Sequence, residues 1–147
     1  MNEPSPEQPF REQLLAYLLL RASHAVSDGF VGTLKERGIP VREWRVLGSL
    51  CDVSSLTIGD LADAILCEQS STTRLVDRLV AAGLVGKRAA SGDRRKVHVY
   101  LTEKGREEAA HLVAHALDLE RDVAETHGLD NTEALKTVLR SLIERIS

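Results

Sequence analysis

Aromatic residues, cysteines and long apolar runs are all scarce in this sequence, and each shortage removes a class of protein. Aromatics make up 3% of the 147 residues, scattered as Phe10, Tyr17, Phe30, Trp44 and Tyr100. A binder of RNA or single-stranded DNA needs stacking platforms, so that reading is disfavoured. Two cysteines, Cys51 and Cys67, are too few for a disulfide framework and lack metal-ligand spacing with each other. The longest apolar run, Leu14 to Leu20, is far short of a bilayer span and suits a buried helix face, so no membrane partner is expected. Residues 1–9 hold Glu3, Glu7 and three prolines but no basic stretch leading into an apolar one. They read as a flexible arm without a signal peptide, and the expected location is the cytoplasm. No G-x-S-x-G, P-loop or dinucleotide glycine fingerprint is present, so neither an enzyme nor a bound cofactor is expected.

What remains is a globular chain with 43% hydrophobic and 28% charged residues, sized for a single domain over 10–147. Its net charge of -3 hides an asymmetry. Between Glu68 and Arg106 lie Arg74, Arg78, Lys87, Arg88, Arg94, Arg95, Lys96, Lys104 and Arg106 against only Glu68, Asp77, Asp93 and Glu103. That segment carries +5 and the remainder -8. A basic module on an acidic body is the footprint of one nucleic-acid face.

Periodicity orders the elements. Leu14, Leu15, Leu18, Leu19, Ala22, Val26, Phe30 and Leu34 predict one long helix from about Phe10 to Lys35, ended by Gly38 and Pro40. A shorter helix follows over Val41 to Leu50, with Trp44, Val46 and Leu47 as its apolar positions. Thr57 and Asp60 form a capping pair ahead of Ile58, Leu61, Ala62 and Ile65. After a break at Leu66 and Cys67, a helix over about 69–82 turns Leu75, Val76, Leu79 and Val80 inward, and Gly83 supplies the left-handed C-cap. Two short helices joined by so tight a turn make a helix-turn-helix. The period then changes to 2. Val85 to Arg88 and Val97 to Leu101 read as strands, joined by the link 89–95, within a wing over about 85–101. Thr102 caps a helix from Glu103 to about Thr126, Gly128 interrupts, and Asp130 with Glu133 caps a last helix carrying Leu135, Val138, Leu139, Leu142, Ile143 and Ile146. The fold class is mainly α (α+β): a winged helix-turn-helix with long terminal helices.

B-DNA's major groove, about 12 Å wide, admits one helix, whose N-terminal side chains reach base edges. The candidate recognition helix opens Gln69-Ser70-Ser71-Thr72-Thr73-Arg74. Gln pairs with adenine, Arg with guanine, and hydroxyls serve bases or phosphates. A Ser/Thr-rich first turn that merely caps the helix is the competing explanation. The wing shifts the balance, because Arg94, Arg95 and Lys96 at a hairpin end can enter a minor groove or neutralise phosphates. Asp93 among them can orient a neighbouring guanidinium, and Arg78 completes the candidate contacts. A solvated charge run at a turn is the alternative there.

The runs Leu75-Val76-Asp77-Arg78-Leu79, Ala82-Gly83-Leu84-Val85, Asp93-Arg94-Arg95 and Leu101-Thr102-Glu103-Lys104-Gly105 resemble the signature of the MarR family of regulators. The order of elements is similar to that family's across nearly the whole chain. The resemblance implies that Arg95 is the minor-groove arginine with Asp93 as its partner. It also implies that Ser70, Ser71, Thr73 and Arg74 lie on the groove side, and that helices in 10–37 and 103–147 dimerise around a 41–102 DNA-binding lobe. Both terminal stripes are apolar, and pairing with a second copy would bury them and set two recognition helices about 34 Å apart on a palindromic operator; an intramolecular bundle is the alternative. The expected function is a repressor of transcription, released from double-stranded DNA by an unidentified small-molecule effector, with a protein-interaction winged helix as its rival.

Three sensing sites are open. His111 and His115, at i, i+4, share a face and could hold a metal with His24 or Asp28 nearby. Cys67, just before the recognition helix, could serve redox sensing, whereas Cys51 reads as core. The family's usual arrangement, a small aromatic or anionic molecule between the dimerisation helices and the DNA-binding lobe, would draw on Tyr17, His24, Trp44 and Arg45, although Trp44 also reads as a core anchor.

Overall fold

A computed structural model describes residues 9–90, 92–128 and 131–146, with the side chains of Arg94 and Arg95 outside the description. Nearly all of the 1–9 arm also lies outside it. The chain divides into two compact units, one drawn from Met1–Gly29 with Leu117–Ser147, the other Phe30–Ala116, which encloses the whole of 41–102. Among the described residues no helix is long and apolar enough to cross a membrane.

In the Phe30–Ala116 unit the core is assembled from one stripe per element. It receives Leu34 from the end of α1 (Leu15–Glu36), and Val46 and Leu47 from α2 (Val41–Ser49) with Leu50 just beyond. Trp44 packs half-buried against its edge. Helix α3 (Ile58–Ala64) begins at Thr57, whose Oγ1 accepts from the Asp60 backbone N–H at 3.1 Å and donates to Asp60 Oδ2 at 2.7 Å, the expected capping pair. It buries Leu61 and Ala62, with Ile65 following. Helix α4 (Gln69–Ala81) buries Thr72, Leu75, Val76 and Leu79. One expectation fails here: Val80, read as inward, is exposed. Thr72, absent from the expected groove-side residues, is fully buried with its hydroxyl donating to the Glu68 carbonyl at 3.0 Å. At 3.6 residues per turn the stripe that contains Leu75, Val76 and Leu79 extends back to Thr72, whereas Val80 lies about 100° beyond Leu79.

Helices α1, α3 and α4 end in the same way. The N–H groups of Gly38, Leu66 and Gly83 reach back to Lys35, Asp63 and Val80, and those of Ile39, Cys67 and Leu84 to Leu34, Ala62 and Leu79. This double bond pattern needs a left-handed residue. Glycine supplies it at positions 38 and 83 (φ 69° and 74°), but Leu66 adopts it too, at φ 55°, with its side chain 90% exposed.

The sheet has three antiparallel strands in the order β1 (Leu56–Thr57), β3 (Asp93–Leu101), β2 (Val85–Ala90). Strand β1 went unread in the sequence because two residues carry no period. The ribbon is longer and its turn tighter than the expected seven-residue link, since pairing runs from Val85↔Leu101 through Ala89↔Val97 and closes at Ala90↔Asp93. The register shifts between Ala89 and Ala90, so Arg94, Arg95 and Lys96 fall within the irregularity. A bulge of this kind strengthens the local twist and re-aims side chains while keeping the ribbon paired.

Helix α5 (Glu103–Thr126) has the bounds the sequence predicts. Its start is locked to the end of α4. Thr102 Oγ1 accepts from the Gly105 N–H at 3.0 Å and donates to the Gly83 carbonyl at 2.6 Å; the Thr102 N–H donates to Leu84 O at 3.1 Å and Lys104 Nζ to Ala82 O at 2.9 Å. A Cβ on Gly105 would stand 1.8 Å from Leu84 O. The paired runs Ala82-Gly83-Leu84 and Thr102-Glu103-Lys104-Gly105 are thus one joint.

In the other unit, the expected continuous helix from Phe10 is broken. A 3-10 turn, Phe10–Gln13, leads to an extended Leu14 (φ -86°, ψ 120°) before α1 starts. A 3.6-residue hydrophobic period runs through both segments and cannot mark the interruption. Helix α6 (Thr132–Ile146) is capped by Asn131, whose Oδ1 accepts from the Ala134 N–H at 3.1 Å. Asp130 of the expected pair lies outside the described residues. Lys136 pairs with Glu120 and with Glu133, raising the lysine's pKa and lowering that of Glu133. Leu14, Leu15, Leu18, Leu20, Leu135, Val138, Ile143 and Ile146 remain exposed on the single chain.

Candidate nucleic-acid interface

The first turns of α4 project from the Phe30–Ala116 unit because the helix buries only its Thr72–Leu79 stripe. Gln69, Ser70, Thr73 and Arg74 are exposed and Ser71 is half-buried. Thr73 Oγ1 donates to the Gln69 carbonyl at 2.9 Å. Arg78 is exposed, with Nε donating to Glu43 Oε1 on α2 at 2.9 Å, and 60% of its side chain stays accessible. That pair holds the guanidinium on the α4 surface without covering it.

Gln69 and Thr73 line an open groove of about 440 Å³ with Thr57, Gly59, Lys87 and Lys96. The structure therefore brings the recognition-helix start and the wing residue Lys96 into one concavity. Thr57, Gly59 and Lys87 line the same groove and were not among the residues expected from the sequence. Lys87 was visible only as part of the basic segment, Thr57 was read as a helix cap, and Gly59 carried no reading. Lys87 Nζ is 2.5 Å from Asp77 Oδ1, tying β2 to α4 beside the groove. Asp93 opens β3 and Lys96 is exposed. Arg94 and Arg95 lie on β3 by backbone, while the expected pairing of an arginine with Asp93 concerns side chains outside the description.

His115 Nε2 and Thr33 Oγ1 are hydrogen-bonded at 2.7 Å, and the ring lies 6.3 Å from Phe30, which meets Trp44 edge-on at 5.1 Å. His111 is exposed, and among the described residues no group of three or more His, Cys, Asp or Glu is placed to hold a metal. Cys67 is half-buried at the α3 terminus. Cys51 Sγ donates to the Leu47 carbonyl at 3.4 Å, and burial, then the Asp52 charge, pushes its thiol pKa up. Trp44 and Arg45 line an open groove of about 380 Å³ with Gly48, Ser49, Ile65 and Leu66. Tyr17 and His24 belong to the other unit, where the Tyr17 hydroxyl accepts from Arg21 at 3.1 Å.

A helix-turn-helix with an exposed polar first turn, followed at once by a basic antiparallel ribbon, defines the winged-helix class of DNA-binding transcription regulators. Residues 37–96 match the MarR family. The chain is 30% identical over 125 residues to the HTH-type transcriptional regulator FarR of Neisseria gonorrhoeae, covering 84% of this chain and 85% of that protein. The fold is similar to the MarR family transcriptional regulator SPO1453 from Silicibacter pomeroyi DSS-3, with a TM-score of 0.85, 36% identity and coverage of 95% and 100%. It is also similar to NadR in complex with 4-hydroxyphenylacetate, at a TM-score of 0.77, 25% identity and 97% coverage of each chain. This chain belongs to the MarR family of transcriptional regulators.

Proposed function

We propose that the protein is a cytoplasmic repressor that binds a palindromic operator in double-stranded DNA as a homodimer and is released by a small-molecule effector. The observation that carries the reading is the shared groove of Gln69, Thr73, Lys87 and Lys96, which sets base-reading and phosphate-neutralising groups on one concave face. Gln69, Ser70, Ser71, Thr73 and Arg74 enter the major groove, Arg78 and Lys96 neutralise phosphates, and Arg94 and Arg95 serve the wing with Asp93 as orienting carboxylate. The exposed leucines and isoleucines of α1 and α6 support a dimer, since a soluble monomer rarely leaves so many apolar side chains in water. An effector is supported by NadR, solved with 4-hydroxyphenylacetate. Trp44 and Arg45, which line an open groove with Ile65 and Leu66, are the residues of the Phe30–Ala116 unit proposed to meet such a ligand.

The test is binding of the purified protein to DNA upstream of its own gene and to selected genomic fragments, titrated in salt. Tight binding with a steep salt slope, weakened by Arg95→Ala, supports the reading. Absence of specific binding to any fragment, with retention of a protein partner, refutes it.

A further inference from the structure

The basic residues of this unit differ in how their charge is balanced. Arg37, Arg78 and Lys87 each face a carboxylate, from Glu108, Glu43 and Asp77. Arg88 on β2 faces none among the described residues, yet its guanidinium is held in place. It lies 5.4 Å from the Tyr100 ring centroid, and Nη2 donates to Ser55 Oγ at 3.3 Å. Tyr100 is in turn fixed across Gly86, its cross-strand partner, where a Cβ would meet the ring at 2.4 Å. Ser55 Oγ and His98 Nδ1 are 3.1 Å apart, and His98 pairs directly with Arg88 across the strands. Ser55 Oγ thus accepts from Arg88 and is hydrogen-bonded to Nδ1 as well, the direction of that second bond being set by the imidazole tautomer. Arg88, Ser55, His98 and Tyr100 therefore form a polar cluster around a cation that faces no carboxylate among the described residues.

This cluster lies on the opposite face of the ribbon from Lys87. Side chains alternate along a strand, so Gly86, Arg88, His98 and Tyr100 share one face, while Val85, Lys87, Val99 and Leu101 share the other, which is turned to the core. A ribbon entering a minor groove is bounded by two rows of phosphates, with only about 6 Å between the groove walls. In the DNA-binding reading above, the face that carries Lys87 would meet one row.

We propose that Arg88, positioned by Tyr100 and Ser55, binds a backbone phosphate oxyanion on the outer face of the wing, a second phosphate contact that neither the recognition helix nor the wing tip supplies. The inference rests on the DNA-binding reading above. It makes Arg88 a contact of affinity and register rather than of base choice. Gly86 is conformationally ordinary, and the ring that orients Arg88 lies in the space a side chain there would take.

The experiment measures affinity for a selected genomic fragment and for a scrambled duplex across a salt series, with wild type, Arg88→Gln and Arg88→Lys. One phosphate contact contributes about 0.9 to the slope of log K against log salt on B-DNA. The slope is expected to fall by about 1 in Arg88→Gln, equally on both duplexes, and to be restored in Arg88→Lys, with base preference unchanged. An unchanged slope in Arg88→Gln while wild type still binds overturns the proposal and leaves the DNA-binding reading intact. Failure of wild type to bind any duplex overturns both. A parallel titration of the free protein with inorganic phosphate, read on the His98 imidazole resonances, separates the sources. Saturable binding there with an unchanged DNA slope means a free-anion site and refutes the backbone contact.

Discussion

Replacing Gly105 with alanine tests the joint between the recognition helix and α5. The added Cβ would stand 1.8 Å from Leu84 O, 2.7 Å from its carbonyl carbon and 3.2 Å from its Cα. All three atoms are backbone, so no side-chain rotation relieves the clash, and the start of α5 must retreat by more than about 1 Å to reach ordinary contact distance. A shift of that size stretches the 2.6 Å bond from Thr102 Oγ1 to Gly83 O and the 3.1 Å bond from Thr102 N to Leu84 O. Two weakened hydrogen bonds cost about 1 kcal/mol each. Overpacking adds about 1–3 kcal/mol. The better helix propensity of alanine returns about 1 kcal/mol. The net loss is about 2–4 kcal/mol, which lowers Tm by roughly 5–15 °C for a chain of this size. The assay is thermal unfolding by far-UV circular dichroism at matched protomer concentration, because dimerisation would make Tm depend on concentration. Gly32→Ala is the internal control: a Cβ there meets nothing within 4 Å and the helix continues through it, so Tm is expected to rise slightly. A Gly105→Ala protein that melts within about 2 °C of wild type would refute the view that close backbone approach is what glycine provides there.

Leu66→Gly is expected to stabilise the protein by about 0.5–1 kcal/mol in urea unfolding, since it relieves a left-handed leucine that buries almost nothing; a loss of stability would show that the exposed side chain has a partner. Arg78→Ala is expected to cost about 1–2 kcal/mol, because Arg78 is 60% exposed but the Glu43 carboxylate it leaves behind is only 16% accessible, while DNA affinity drops measurably; equal DNA affinity would leave Arg78 as a structural pair only. Cys51 is expected to react with iodoacetamide at pH 8 more slowly than after unfolding, because a raised pKa reduces its thiolate fraction; mass spectrometry of the labelled peptide reads this, and equal rates would contradict it.

Much of this protein is legible in the sequence because short-range chemistry sets it. The Thr57–Asp60 and Thr102 caps, the Gly83 terminus and the bounds of α5 follow from donors, acceptors and φ preferences within a few residues of one another. The charge segregation toward Glu68–Arg106, and with it the class of partner, is likewise a property of the order of residues. Where the sequence misled, a one-dimensional pattern could not resolve a three-dimensional choice. The 3.6 period passes unbroken through the extended Leu14, and a polar label on Thr72 says nothing of a hydroxyl that its own helix satisfies.

Only the tertiary structure decided which residues meet. That Leu84 O occupies the space of a Gly105 side chain, that Thr57 and Lys87 join Gln69 in one groove, and that Tyr100 pins Arg88 over Gly86 depend on strand register and helix approach. Contacts of this kind join residues up to 82 positions apart, as for Thr33 and His115. Local propensity fixes each element separately, but the geometry between elements is set by burial of the shared core, which no segment encodes alone.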